Sequence, residues 1–195
     1  MSAYGSGCVG QVYPDRWHFT PHTEDDERMD DPGDAGIDFS IAAWREDGRW
    51  SVATLPPRAV DTLGGFITAL RQLTGEGGAL GFVGVDEAFL IVVRIGTDGV
   101  ARVLLTEANA AFDYDLAEEA FDLLDLDAPE DDDYDDYEPV GDLALMADFG
   151  VDSDAVELML NNEDLFPDEQ VTHLAHRLGF SDQLKTVLSP RDIPR

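Results

Sequence analysis

The residues best equipped for chemistry in this 195-residue chain are four histidines, one cysteine and a surplus of carboxylates. His173 and His176 stand three apart in a stretch of helical spacing, so both imidazoles share one side, and Asp168 or Glu169 could complete a metal site. The plainer account leaves His173 in solvent and His176 beside an apolar stripe, and we expect no metal there. Cys8, His18 and His22 offer one thiolate and two imidazoles, short of the four protein ligands a structural zinc normally needs. The aspartates Asp131, Asp132, Asp133, Asp135 and Asp136 would attract calcium loosely, but the run lacks the turn glycine and terminal glutamate of a calcium loop. Gly75, Gly77, Gly78 and Gly81 follow a helical pattern and precede a strand pattern, the reverse of a dinucleotide-binding fingerprint, so a helix-to-strand turn accounts for them. Nucleophilic catalysis would need a Ser, Thr or Cys held against a base, and no histidine falls within the predicted sheet. Carboxylates are so abundant that no pair stands out as an acid/base couple. The expectation is a protein that is not an enzyme and holds no cofactor.

The charge itself is the stronger signal. With 42 acidic and 12 basic residues the formal net charge is -30, and between Arg102 and Arg177 there is no lysine or arginine while 24 aspartates and glutamates occur. Such a surface repels phosphate backbones and attracts basic proteins, so we expect a basic protein partner and no direct nucleic-acid binding. Asp131, Asp132, Asp133, Asp135 and Asp136 are the expected partner-binding residues. No stretch reaches the ~18 consecutive apolar residues of a membrane span. The N-terminus lacks a basic-then-apolar signal pattern, and a single cysteine suits a reducing compartment, so a cytoplasmic protein without a membrane is expected.

The elements that must position these groups follow from periodicity. Residues 1–36 mix Gly, Pro, Asp and scattered aromatics without period and read as a disordered N-terminal extension; Met29, just before the first regular pattern, could serve as an alternative start. Residues 37–124 carry the fold. Alternation around Phe39, Ile41 and Ala43, and again around Trp50 and Val52, flanks Asp47-Gly48 and predicts a hairpin. Pro56-Pro57 ends the second strand, and Val60, Leu63, Phe66, Ile67, Leu70 and Leu73 at helical spacing predict a helix capped by Asp61. Ala79 to Val85, Ala88 to Ile95 and Val100 to Leu105, with turns at Asp86-Glu87 and Thr97-Asp98-Gly99, predict a meander. Thr106 and Glu107 then open a helical stretch whose apolar face would be Phe112, Leu116, Ala120, Phe121, Leu123 and Leu124. The class is α+β, a five-stranded antiparallel sheet in the order β-β-α-β-β-β-α found in profilin-like, longin and roadblock domains. Residues 125–139 read as an acidic, disordered, self-repelling linker. Residues 140–195 read as a small C-terminal helical bundle: Asp152 or Ser153 caps one helix, Pro167 to Gly179 bounds a second, and Ser181 to Leu188 forms a third. Whether that bundle docks on the sheet or on a partner is left open by sequence alone.

The ordered series DFSIAAWREDGRWSVATL (Asp38 to Leu55), ALRQL, LGFVGVDEAFLIVVRI, VARVLLTEANAAFDYDLAEE and GDLALMADFGVDSDAVELMLNNEDLFPDEQVTHLAHRLGF resembles the actinobacterial family of tRNA adenosine deaminase-associated proteins. The resemblance covers roughly residues 37–188 and leaves out the N-terminal extension. It implies a partner in the enzyme that converts tRNA wobble adenosine to inosine, and it assigns no catalytic residues. The chain cannot be that enzyme, because a zinc deaminase needs H-x-E and P-C-x-x-C and neither string occurs. A non-catalytic partner of the deaminase, acting as an assembly or regulatory factor, is therefore the leading expectation. The alternative is a small-molecule sensor or scaffold unrelated to tRNA modification, in which the acid run only maintains solubility.

Overall fold

A computed structural model describes residues 36–73, 75–129, 138–160, 162 and 165–188. The N-terminal extension, with Cys8, His18 and His22, lies outside these residues apart from Gly36, as does the core of the acidic linker. Strands β1 (Ile37–Glu46) and β2 (Arg49–Thr54) form the hairpin that Asp47-Gly48 predicts. Both turn residues have positive φ, 49° and 71°, which matches the right-handed twist of the strands. Pro57–Ala59 makes one 3-10 turn before α1 (Leu63–Gln72), which buries Leu63, Phe66, Ile67 and Leu70. Its N-cap is Thr62, not Asp61: the Thr62 hydroxyl accepts from the Gly65 amide at 3.0 Å, while its backbone is extended.

The meander follows as β3 (Ala79–Val85), β4 (Phe89–Ile95) and β5 (Ala101–Leu105). Every residue of β3 and β4 is buried, which requires both faces of the sheet to be covered. The predicted single helix after β5 is interrupted. It forms α2 (Ala110–Asp113) and α3 (Asp115–Leu124), with Tyr114 extended between them. The Tyr114 ring meets Phe89 edge-on at 5.0 Å and its hydroxyl bonds the Asp86 carboxylate, so tertiary contacts hold this residue out of the helix. Phe112 and Leu123, expected on the apolar face, are instead 53% and 43% exposed.

The sheet has six strands rather than five. β6 (Val140–Gly141) pairs with Leu105 and Leu104, and the order is β2-β1-β3-β4-β5-β6 with every neighbouring pair antiparallel. A two-residue strand has no period to read, but Gly141 is needed there. Its φ is 117°, and a Cβ would lie 2.3 Å from the Val103 carbonyl oxygen. Helix α1 crosses over so that β2 and β3 flank β1.

The C-terminal segment forms α4 (Ser153–Leu160), α5 (Pro167–Leu178) and α6 (Ser181–Leu188). Asp152 caps α4 by accepting from the Ala155 amide at 2.8 Å, Pro167 opens α5, and Gly179 ends it at φ 85°. These helices cover one sheet face, packing Val156, Val171, Leu174, Phe180 and Leu184 on Ile41, Leu80, Phe82, Leu90, Val92 and Leu104. Helices α1 to α3 cover the other, over Val83, Val85, Ile91, Val93, Val103 and Leu105. Each large apolar side chain so buried contributes about 1.5–3 kcal/mol. The result is a mixed α+β arrangement of helices, one antiparallel sheet, and helices.

Candidate interaction surface

Helix α3 carries four acids and no cation. Glu119 turns inward and accepts from the Leu63 amide at 2.7 Å, placing a carboxylate at the positive end of α1. Asp115, Glu118 and Asp122 stay exposed on the outer side at i, i+3 and i+7, and among the described residues none of them has an ion pair. The helix closes in a Schellman motif: the Asp125 amide donates to the Asp122 carbonyl at 3.2 Å and the Leu126 amide to the Phe121 carbonyl at 3.1 Å. The residue in left-handed conformation is Asp125 (φ 57°), where glycine is usual. Asp127 is exposed, and so is Leu126 at 45%.

The expected partner-binding residues Asp131, Asp132, Asp133, Asp135 and Asp136 lie outside the described residues, but their flanks do not. Pro129 is buried, and Ala128 and Val140 pack against the core on the α3 side of the sheet. On the far flank the Glu138 carbonyl accepts from the Ala108 amide at 2.9 Å, and β6 follows on the edge of β5. The acid run is thus bounded on both sides by residues of the α3 face and its edge.

A second group of acids gathers at the β3-β4 turn. Asp86 and Glu87 both have positive φ, 50° and 53°, in a turn where Asn-Gly is favoured. The turn is held from outside itself: the Asp38 carboxylate accepts from the Glu87 amide at 2.6 Å, and the Asp86 amide donates to the Gly36 carbonyl at 2.8 Å. Burial pushes the Asp38 carboxyl above its ordinary value, and the charges of Asp86, Glu87 and Asp168 add to that rise against the lowering hydrogen bond from Glu87. Burial also raises the Tyr114 hydroxyl, with further contributions from the charge and hydrogen bond of Asp86.

The remaining sequence candidates are dispersed. His173 and His176 are both exposed on α5. Among the described residues no three His, Cys, Asp or Glu side chains are grouped to hold a metal ion. Gly75 and Gly78 serve close packing, since a Cβ would lie within 1.9 Å of the Arg45 carbonyl oxygen in the first case and 2.0 Å of that of Ile95 in the second. A depression of about 250 Å³ beside them is lined by Arg71, Gly75, Gly78, Ile95, Gly96, Thr97 and Gly99. No described helix is long and apolar enough to cross a membrane.

Sequence reasoning overlooked Arg94. It is 3% exposed, and its guanidinium donates to the carbonyls of Gly77, Ala79 and Ile95 and to Asp148 at 2.7 Å. Its Cζ also lies 4.4 Å from the centre of the Phe149 ring, while Arg45 stacks over Trp50 at 4.7 Å. These contacts seat the Ala147–Phe149 turn on the sheet, and the Trp50 indole adds a 2.8 Å bond to the Leu178 carbonyl. The signal available in sequence was a single cation inside the apolar run FLIVVRI, which must find acceptors if the strand is buried.

A family model described as Rv3753c-like tRNA adenosine deaminase-associated protein matches residues 38–181, from the start of β1 to the start of α6. The chain belongs to this family. Within the deaminase-associated family, Protein Rv3753c of Mycobacterium tuberculosis (strain ATCC 25618 / H37Rv) is 40% identical over 152 residues, covering 77% of this chain and 87% of that protein. The span matched by the family model includes α3, the acid run, β6, and the Arg94 and Asp148 pair. The family description names association with the deaminase and not deamination itself. No solved structure matches the chain.

Proposed function

We propose that this protein is a non-catalytic partner of a tRNA adenosine deaminase, an assembly or regulatory factor that presents carboxylates to a basic surface of the enzyme. The family description carries the association. The charge distribution supports the mode: the exposed acids of α3 lead directly into Asp131, Asp132, Asp133, Asp135 and Asp136, in a stretch without lysine or arginine. Such a surface steers a basic partner and speeds encounter, and it repels RNA. The deaminase acts on tRNA, so its substrate side must carry positive charge, and an acidic partner there competes with tRNA. We place the complex in the cytoplasm with no membrane involved.

The test is capture of the same organism's tRNA adenosine deaminase by the full chain, from low to high salt and with added tRNA. Binding that weakens with salt and is displaced by tRNA is the expected result. Absence of binding at low salt refutes the proposal. Replacing Asp131, Asp132, Asp133, Asp135 and Asp136 with Asn and Ser should slow association, and retention of full affinity would exclude the run as the steering element.

A further inference from the structure

We infer that the outer side of α3 and its C-terminal turn form the docking site for an amphipathic segment of the deaminase, one bearing an apolar stripe beside lysines or arginines. The inference rests on the partner reading above and names the surface and the chemistry that fits it.

Leu123 and Leu126 are 43% and 45% exposed, and they are three residues apart across the end of one helix. The acids beside them are placed against the helix dipole. Acids at the start of a helix face the positive end of its dipole, and this chain uses that arrangement for Asp152 and Asp154 at α4 and for Asp168 and Glu169 at α5. Asp122 and Asp125 stand at the opposite end of α3, where the dipole is negative, and the helix offers them no basic neighbour. Asp125 also occupies a left-handed position that glycine fills at lower cost. Glu118 and Asp122 add a like-charge i, i+4 repulsion. None of these choices favours the isolated protein, and a bound cation reverses the sign of each electrostatic one. The chain runs on in sequence from this turn through the exposed Asp127 and the buried Pro129 toward the acid run.

Leu158 on α4 is more exposed still, at 71%, but it lies on the opposite side of the sheet and its helix places Asp154 at the favourable end. It therefore serves as the control. Anionic lipid and RNA are excluded as occupants by the same carboxylates. Leucines buried at the centre of such a contact supply affinity that salt does not screen, while the acids supply the salt-sensitive part.

The experiment measures affinity of the full chain for the same organism's deaminase at several salt concentrations, for the parent, Leu123→Gln/Leu126→Gln, Asp122→Asn/Asp125→Asn and Leu158→Gln. The leucine pair should weaken binding roughly tenfold or more at every salt concentration and leave the salt slope unchanged. The aspartate pair should flatten the slope, and urea unfolding should show it more stable than the parent. Leu158→Gln should bind as the parent does. The inference is overturned if the leucine pair binds within about twofold of the parent, or if Leu158→Gln loses as much. If the parent itself does not bind at low salt, the deaminase reading fails and the docking site falls with it, a result distinct from a variant that loses nothing.

Discussion

Replacing Arg94 with Met isolates what the one buried guanidinium on β4 contributes to seating the C-terminal segment. Methionine fills much of the arginine stem and brings no charge. Four acceptors lose their donor: the carbonyls of Gly77, Ala79 and Ile95, and the carboxylate of Asp148. Asp148 is 59% exposed and can turn to water, so its loss is small. The three carbonyls have less recourse, and an orphaned buried acceptor costs about 1–3 kcal/mol. Contact with Phe149 contributes about a further 1 kcal/mol, and the lower cost of burying methionine than a cation offsets part of the sum. The net expectation is a loss of about 3 kcal/mol, or roughly 6–12 °C in Tm for a unit of this size. Asp148→Asn should cost only about 1 kcal/mol, because three carbonyls still hold the arginine. Urea denaturation of the parent, both single variants and the double variant measures these values, and hydrogen exchange at Ala147 to Gly150 should accelerate in Arg94→Met. The reasoning fails if Arg94→Met lies within about 1 kcal/mol of the parent, or if Asp148→Asn is the more damaging change.

Four further outcomes follow from the same geometry. Asp125→Gly should stabilise the protein by about 1 kcal/mol, since it removes both the left-handed strain of a side chain and a charge at the negative end of α3; a destabilised variant in chemical denaturation would contradict this. Glu119→Gln should cost about 1 kcal/mol by weakening the charged cap on the Leu63 amide, and equal stability of the two proteins would remove that role. Gly141→Ala should destabilise by roughly 2 kcal/mol or more, because its Cβ meets the Val103 carbonyl at a φ of 117°, and an unchanged melting temperature would argue against β6 as placed. Asp38 tests the pH dependence. Its carboxyl is raised above the unfolded value, so the folded protein holds that proton more tightly, and the contribution is favourable below the unfolded pKa and lost as pH rises through the folded one. Asp38→Asn keeps the acceptor for the Glu87 amide, so the variant should be more stable than the parent at pH 7 and equal to it near pH 3. A gap that is the same at both pH values would refute the assignment.

The charge pattern also bears on how the protein balances stability against recognition. Acids at the N-terminal ends of α4 and α5 help the fold, whereas those at the C-terminal end of α3 oppose it. Neutralising the second group should therefore strengthen the fold while weakening the complex, and that opposition separates a recognition surface from a structural one.

Local order determined much of this protein from sequence alone. The hairpin at Asp47-Gly48, the meander and the boundaries at Pro167 and Gly179 follow from period-2 alternation, turn chemistry and caps, all of which act within a few residues. The acidity of residues 103–176 is likewise a property of composition. Strand order was not legible, because the pairing of β1 with β3 joins segments separated by a helix. Nor was β6, since two residues carry no period, and it exists through the edge of β5 and the space that Gly141 leaves. The break at Tyr114 arose from Phe89 and Asp86, distant in the chain, and Phe112 on α2 and Leu123 on α3 are both exposed where the spacing of one continuous helix suggests burial. The docking of α4 to α6 on the second face depended on Trp50 and Arg94 finding Leu178, Phe149 and Asp148, contacts between distant segments that no local pattern encodes. Sequence thus decided which segments are strands, helices or acid, because those preferences are local, and tertiary packing decided which carboxylates and leucines face outward together.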